Sequence, residues 1–188
     1  MANNVRLIIA IFAIFFIVHS FANAGGKVKS GLQPGESLTN VFHPYNVTGP
    51  FAGDRHCLVC ENGLNPVAMV FAREVNKPLV DLMRKLDLVT KQNRKQEMGS
   101  FVVFLNDKDG LDKQLQSVAK KHGLKTIILS IDDPEGPEDF KISKVADVTV
   151  VLYREHKVIA NHAFRMGELS GKSVTAILAD VPKILVKK

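Results

Sequence analysis

The chain has 188 residues, 46% of them hydrophobic and 23% charged, with a formal net charge of +6, two cysteines and no tryptophan. That is enough to bury one core without disulfide staples. The basic residues are spread out, with small clusters at Lys91, Arg94 and Lys95 and at Lys183, Lys187 and Lys188. Aromatic interleaving is missing and no nucleic-acid motif is present, so no nucleic-acid partner is expected, only weak attraction to acidic surfaces.

The N-terminus carries a targeting pattern. Met1 to Arg6 holds one positive charge, Leu7 to Val18 is an unbroken apolar run, and Ala22-Asn23-Ala24 has the small-x-small pattern of a signal-peptidase site. The apolar run is shorter than the ~20 residues that a membrane-spanning helix needs. Residues 1–24 are therefore expected to be a signal peptide cleaved near Ala24, although Phe21 lengthens the segment and keeps an uncleaved anchor open. Export to a periplasmic or extracellular location follows, with no stable membrane span afterwards. The mature chain of 164 residues, starting near Gly25, loses only Arg6 from the charge balance.

Residues 31–65 hold many turn formers (Pro34, Gly35, Pro44, Gly49, Pro50, Gly53) and are expected to form short strands or a hairpin. Both cysteines lie here, in Arg55-His56-Cys57-Leu58-Val59-Cys60-Glu61-Asn62-Gly63. Asp54 is a reasonable N-cap and Asn62-Gly63 a reasonable stop, so residues 55–61 are expected to form one helical turn. Cys57 would then sit in its first turn beside Arg55 and His56, both of which favour a thiolate, with Glu61 opposing.

From Pro66 onward the periodicity is clear. Residues 66–72 form an apolar run of strand length, as for a strand buried on both faces. Pro78 opens a helix carrying Leu79, Leu82, Met83 and Leu86 at helical spacing. Phe101 to Leu105 is a second buried strand. Leu111, Leu115, Val118 and Ala119 make another amphipathic helix, stopped by Gly123. Thr126 to Ile131 is a third strand, and turn residues fill 132–137. Val148 to Tyr153 and Val158 to Phe164 then flank a tight connection at Glu155-His156-Lys157, which reads as an antiparallel hairpin. Ser170 starts a last helix with Val174, Ile177, Leu178 and Val181 on one face, and Pro182 ends or kinks it. The order β-α-β-α-β, loop, β-β-α predicts a mixed sheet of about five strands with helices on both faces.

That order, together with Gly31-Leu32-Gln33-Pro34-Gly35-Glu36, Val47-Thr48-Gly49, Val67 to Phe71, Thr126 to Asp132 and Phe140-Lys141-Ile142-Ser143, resembles the redoxin branch of the thioredoxin-like superfamily, which includes peroxiredoxins and secreted thiol–disulfide proteins. The resemblance covers roughly residues 31–185. It implies an α/β thioredoxin-like fold of the redoxin type, with residues 25–65 as an N-terminal loop or hairpin extension and 66–188 as the core of the same domain. It also implies a departure. The family places its reactive cysteine after the central strand, at the start of the next helix, where free N–H groups stabilise a thiolate. The matching stretch here is Phe71-Ala72-Arg73-Glu74-Val75-Asn76-Lys77-Pro78, without a cysteine, and Asp147-Val148 stands where a cis-proline should precede the strand at Thr149. Peroxidase chemistry at the usual position is excluded by composition.

Three readings of the displaced pair stay open. Cys57 and Cys60 are a structural disulfide, a working dithiol with Cys57 attacking and Cys60 resolving, or half of a metal site completed by His56 or His43. Fold and pair together favour thiol–disulfide redox with a protein thiol or disulfide partner, and Cys57 and Cys60 as the catalytic residues. A non-catalytic binding or scaffold module is the alternative. No cofactor is implied, because Glu61 stands where covalent haem attachment requires histidine. Lesser candidates are His156 and His162, the sequon Asn46-Val47-Thr48, Arg73 and Glu74 as either ligand-binding residues in the family's active-site loop or an exposed ion pair, and the acidic run Asp132, Asp133, Glu135, Glu138 and Asp139 as a cation site or a solvated loop.

Overall fold

The computed structural model describes residues 26–185, so the expected signal peptide and its cleavage site near Ala24 lie outside the described residues. A six-stranded sheet forms the centre. Its strands are β1 (Tyr45–Asn46), β2 (Val67–Ala72), β3 (Gly99–Leu105), β4 (Ile128–Asp132), β5 (Val148–Arg154) and β6 (Lys157–Phe164), and their order across the sheet is β1-β4-β3-β2-β5-β6. The pairs β2–β3 and β3–β4 are parallel, and β2–β5, β5–β6 and β1–β4 are antiparallel. The parallel core and antiparallel hairpin are as expected. The sixth strand is the two-residue β1, too short to register as a periodic run.

Three helices connect strands, α1 (Leu58–Asn62), α2 (Lys77–Gln92) and α3 (Leu111–His122), and α4 (Gly171–Asp180) follows β6. The Asn76 side chain accepts from the Leu79 N–H at 3.0 Å and Pro78 occupies the first turn, so α2 starts where the sequence places it. Gly123, with φ 63°, ends α3, and the Ser170 hydroxyl caps α4. The two residues joining β5 to β6, Glu155 and His156, both have positive φ (53° and 58°), which fits the right-handed twist of a two-residue hairpin turn.

Alternation along the strands divides the interior in two. Ala68, Val70, Val102, Phe104, Leu129, Val150 and Leu152 face a cluster containing Leu79, Leu82 and Leu86 of α2, Leu111 and Leu115 of α3, and Val174 and Ile177 of α4. All three long helices thus lie on one face. Two successive right-handed crossovers, β2 to β3 and β3 to β4, advance in the same direction across the sheet and so leave α2 and α3 on the same side. The other face presents Val67, Met69, Phe71, Phe101, Val103, Val151 and Tyr153. It is covered by Leu32, Leu38 and Phe42, by Cys57, Leu58 and Val59 around α1, and by Phe140 of the β4–β5 connection. The rings of Phe42, Phe71 and Phe140 meet at centroid distances of 4.9 to 5.8 Å. The expected helical cover on this side is reduced to the five-residue α1 and extended chain.

Candidate functional site: the Cys57–Cys60 bridge

Residues 54–57 are extended rather than helical. Tyr45 and Arg55 form an antiparallel bridge, the Asn46 N–H donates to Asp54 O at 2.9 Å, and the His56 N–H donates to Pro44 O at 3.3 Å. These bonds delay the helix, so Cys57 rather than Asp54 is the N-cap, with extended φ/ψ of −79°/104°. The Cys60 N–H donates to Cys57 Sγ at 3.0 Å, a role usually filled by a hydroxyl or carboxylate oxygen. Asn62 lies inside the helix and its side-chain amide donates to Leu58 O at 2.6 Å. Gly63, at φ 52°, closes the turn by donating to Val59 O and Cys60 O, as expected.

Cys57 and Cys60 form a disulfide, with Cα atoms 5.3 Å apart, inside the normal range for such a bond. Its two ends are in different surroundings. Cys57 is 4% exposed, within the apolar cluster that includes Leu58, Val59 and Phe71, whereas Cys60 is exposed. The expectation that Cys57 is the attacking thiol therefore falls on the buried sulfur. Helical geometry alone does not separate the two: with Leu58 and Val59 as the buried pair, Cys57 and Cys60 would each lie roughly 150° around a helix from the middle of that pair, and it is the extended backbone of the N-cap Cys57 that sets it apart.

Arg55 and His56 do not serve the sulfurs as the sequence suggested. The Arg55 guanidinium reaches His43 O at 3.0 Å and Asp132 at 3.6 Å. His56 Nε2 lies 3.3 Å from Glu61 Oε2, and its ring stacks on Phe51 with centroids 3.5 Å apart. Among the described residues no group of three or more His, Cys, Asp or Glu is placed to hold a metal ion. The acidic run is used otherwise: Asp132 faces Arg55, Glu135 pairs with Lys144 at 2.7 Å, and Asp139 accepts from Asn40 at 2.6 Å. Burial raises the Asp132 carboxyl above its usual range; a hydrogen bond from the Asp133 backbone and the Arg55 charge oppose it, and the Asp133 charge adds to it.

The position where the family keeps its cysteine is closed by a lattice of hydrogen bonds. Arg73 donates to Pro134 O at 2.8 Å, Ala146 O at 3.0 Å and Ser143 O at 3.4 Å, tying the end of β2 to the β4–β5 connection. Asn106 donates to Arg73 O at 2.8 Å. The expected Arg73–Glu74 pair gives way to Glu74 with Lys108 at 3.7 Å, because the carbonyl cage holds the guanidinium inward. Asp147 stands in the proline position, 6% exposed, with Oδ2 3.4 Å from the Asn76 side-chain amide and Oδ1 unpartnered. Burial raises its carboxyl, and the Glu74 charge adds to the effect. Sequence reasoning missed both roles; an arginine directly after a fully buried strand was the available signal.

The remaining candidates are structural. Asn46 is fully buried in β1, which removes the sequon from glycosylation of the folded chain. His162 is held by Asp180 at 2.8 Å. A cleft of about 650 Å³ lies between residues 27–29, β6 and the start of α4 and touches neither cysteine.

No protein-family model matches the sequence, and no curated protein does either. Solved structures do. A provisionally assigned protein disulfide isomerase from Bacteroides thetaiotaomicron superposes with a TM-score of 0.61 at 15% identity, covering 84% of this chain and 94% of that one. A DsbF homologue from Corynebacterium diphtheriae gives 0.59 at 14% identity, covering 85% and 97%. A thiol peroxidase from Chromobacterium violaceum gives 0.58 at 13% identity, covering 84% and 90%. The chain thus has the thioredoxin-like fold of the redoxins.

Proposed function

We propose that this thioredoxin-fold protein is exported and exchanges disulfides with protein thiol partners through Cys57 and Cys60. The observation carrying the reading is a closed C-x-x-C bridge with one solvent-exposed cysteine, on a fold shared with solved structures of a provisionally assigned protein disulfide isomerase and a DsbF homologue. Fold alone does not fix chemistry. The pair supplies what the fold lacks at its usual site, two sulfurs able to pass between dithiol and disulfide. Export rests on the pattern of residues 1–24, and an oxidising compartment is where such a bridge persists. Residues 25–65 and 66–188 act as one unit in this reading, consistent with Cys57 sharing a core cluster with β2, β3 and β5.

One observation favours a second reading. Cys57 lies inside the core, as the anchored end of a structural bridge would in a non-catalytic binding module. The reduction potential, measured in glutathione buffers, separates the two. A value between about −120 and −270 mV with fast exchange supports the exchange protein, and one below about −300 mV supports the module. Thiols that stay reduced and co-purify with zinc would overturn both.

A further inference from the structure

We infer that the bridge works with its polarity reversed relative to the sequence expectation: Cys60 is the sulfur that partners attack and Cys57 is the buried leaving group. This rests on the exchange reading above and adds the order of events to it. Thiol–disulfide exchange is an in-line displacement, so the incoming thiolate approaches along the S–S axis from behind the sulfur it attacks. Attack on Cys60 Sγ comes from the side facing away from Cys57, and Cys60 is exposed. Attack on Cys57 Sγ would require entry to a residue only 4% exposed, packed with Leu58, Val59 and the β2 side chains.

The leaving side is prepared as well. When the thiolate of a partner dithiol attacks Cys60, a partner–Cys60 disulfide forms, the Cys57–Cys60 bond breaks, and its electron pair remains on Cys57 Sγ. That sulfur already accepts the Cys60 N–H at 3.0 Å, a bond that strengthens when the acceptor becomes anionic. The apolar surroundings oppose the charge and favour its rapid protonation or return. The partner's second thiolate then attacks the partner sulfur of the mixed disulfide and releases Cys60 as a thiolate. Two electrons have passed from the partner dithiol, which leaves as a disulfide, to Cys57 and Cys60. In the opposite direction the exposed Cys60 thiolate attacks a partner disulfide and Cys57 resolves the complex.

The test uses full-length Cys57→Ser and Cys60→Ser chains, each keeping one thiol, mixed with glutathione disulfide, with mixed-disulfide formation followed by mass spectrometry. The chain retaining Cys60 should react about 100-fold faster than the one retaining Cys57, because access governs the rate. The difference should vanish in guanidinium. Equal rates in the folded proteins, or faster reaction at Cys57, overturn the inference. Should the serine variants fail to fold, limiting iodoacetamide on reduced wild-type protein must label Cys60, and label on Cys57 refutes the polarity. The two readings fail separately. A wild-type potential in the range of structural bridges removes the exchange function while leaving the order of reactivity intact, and a working potential with Cys57 reactive removes only the polarity.

Discussion

Reducing the bridge should weaken the fold by a modest and calculable amount. Cys57 and Cys60 are three residues apart, so the loop they close is among the smallest a disulfide can make. The chain-entropy relation gives about 2 kcal/mol for such a loop at 25 °C, against about 4.7 for one of 100 residues. Little else is lost on reduction, because Leu58 and Val59, 1% and 2% exposed, hold α1 against the sheet with or without the bond. A neutral Cys57 thiol also tolerates its apolar site. For a domain of this size the loss corresponds to a fall in melting temperature of roughly 4–8 °C. Thermal unfolding followed by circular dichroism, with and without a phosphine reductant, reads it directly, and a Cys57→Ala/Cys60→Ala chain, indifferent to the reductant, is the control. Leu58→Ala should cost more than reduction, about 3 kcal/mol, by opening a cavity in the cluster beneath α1. A fall of more than about 15 °C, or a rise on reduction, would refute this division of labour between side chain and bridge.

Other expectations concern the elements that frame the site. The Asp87 carboxylate accepts from the backbone N–H groups of Lys125, Thr126 and Ile127 at 2.7 to 2.9 Å; burial pushes the carboxyl up, but those bonds and the Thr126 hydroxyl outweigh it and hold it below 3.8. Asp87→Ala should therefore cost about 2–3 kcal/mol in urea unfolding at pH 7, and the difference should shrink as the pH falls below 3.8 through the lowered native value. Asp147 has the opposite sign: its raised native value makes stability fall as the pH rises above 3.8, and Asp147→Asn should remove that fall from the urea profile. Glu155 is exposed at φ 53°, so Glu155→Asn should stabilise the β5–β6 turn by about 0.5–1 kcal/mol, read as a higher urea midpoint at unchanged slope.

Much of the frame was legible because it depends on local, repeated signals. Continuous apolar runs marked β2, β3 and β5, fully buried in the centre of the sheet. Pro78, Gly123 and Ser170 marked helix ends through backbone chemistry that acts within four residues. The readings that failed depended on partners distant in sequence. Asp54 has the chemistry of an N-cap, but its backbone is engaged by Asn46, and that pairing cannot be inferred from residues 54–63 alone. Arg73 and Glu74 look like neighbours suited to an ion pair, yet Arg73 is captured by carbonyls 61 to 73 residues away. The exposure of the two cysteines falls between these cases. As helix neighbours of Leu58 and Val59 both cysteines would point outward; burial of Cys57 depends on the extended backbone that precedes the helix.

The closed end of β2 and the bridge on α1 are best understood together. In the family pattern the helix start after the central strand supplies donors for a thiolate. Here Arg73 brings a fixed positive charge to that end and uses it to tie two loops together. The disulfide instead sits on the opposite face from the long helices, at a five-residue helix whose one capping N–H is aimed at Cys57 Sγ. So short a helix contributes little macrodipole, which builds up along aligned peptide units. Charge on Cys57 is therefore balanced locally, one hydrogen bond against an apolar cluster. Removing part of the apolar side of that balance, as Val59→Ala would, should raise exchange at Cys60 by making the leaving sulfur easier to charge. Stopped-flow exchange with glutathione measures that rate, and an unchanged rate in a folded Val59→Ala chain would mean that the cluster does not govern the leaving group.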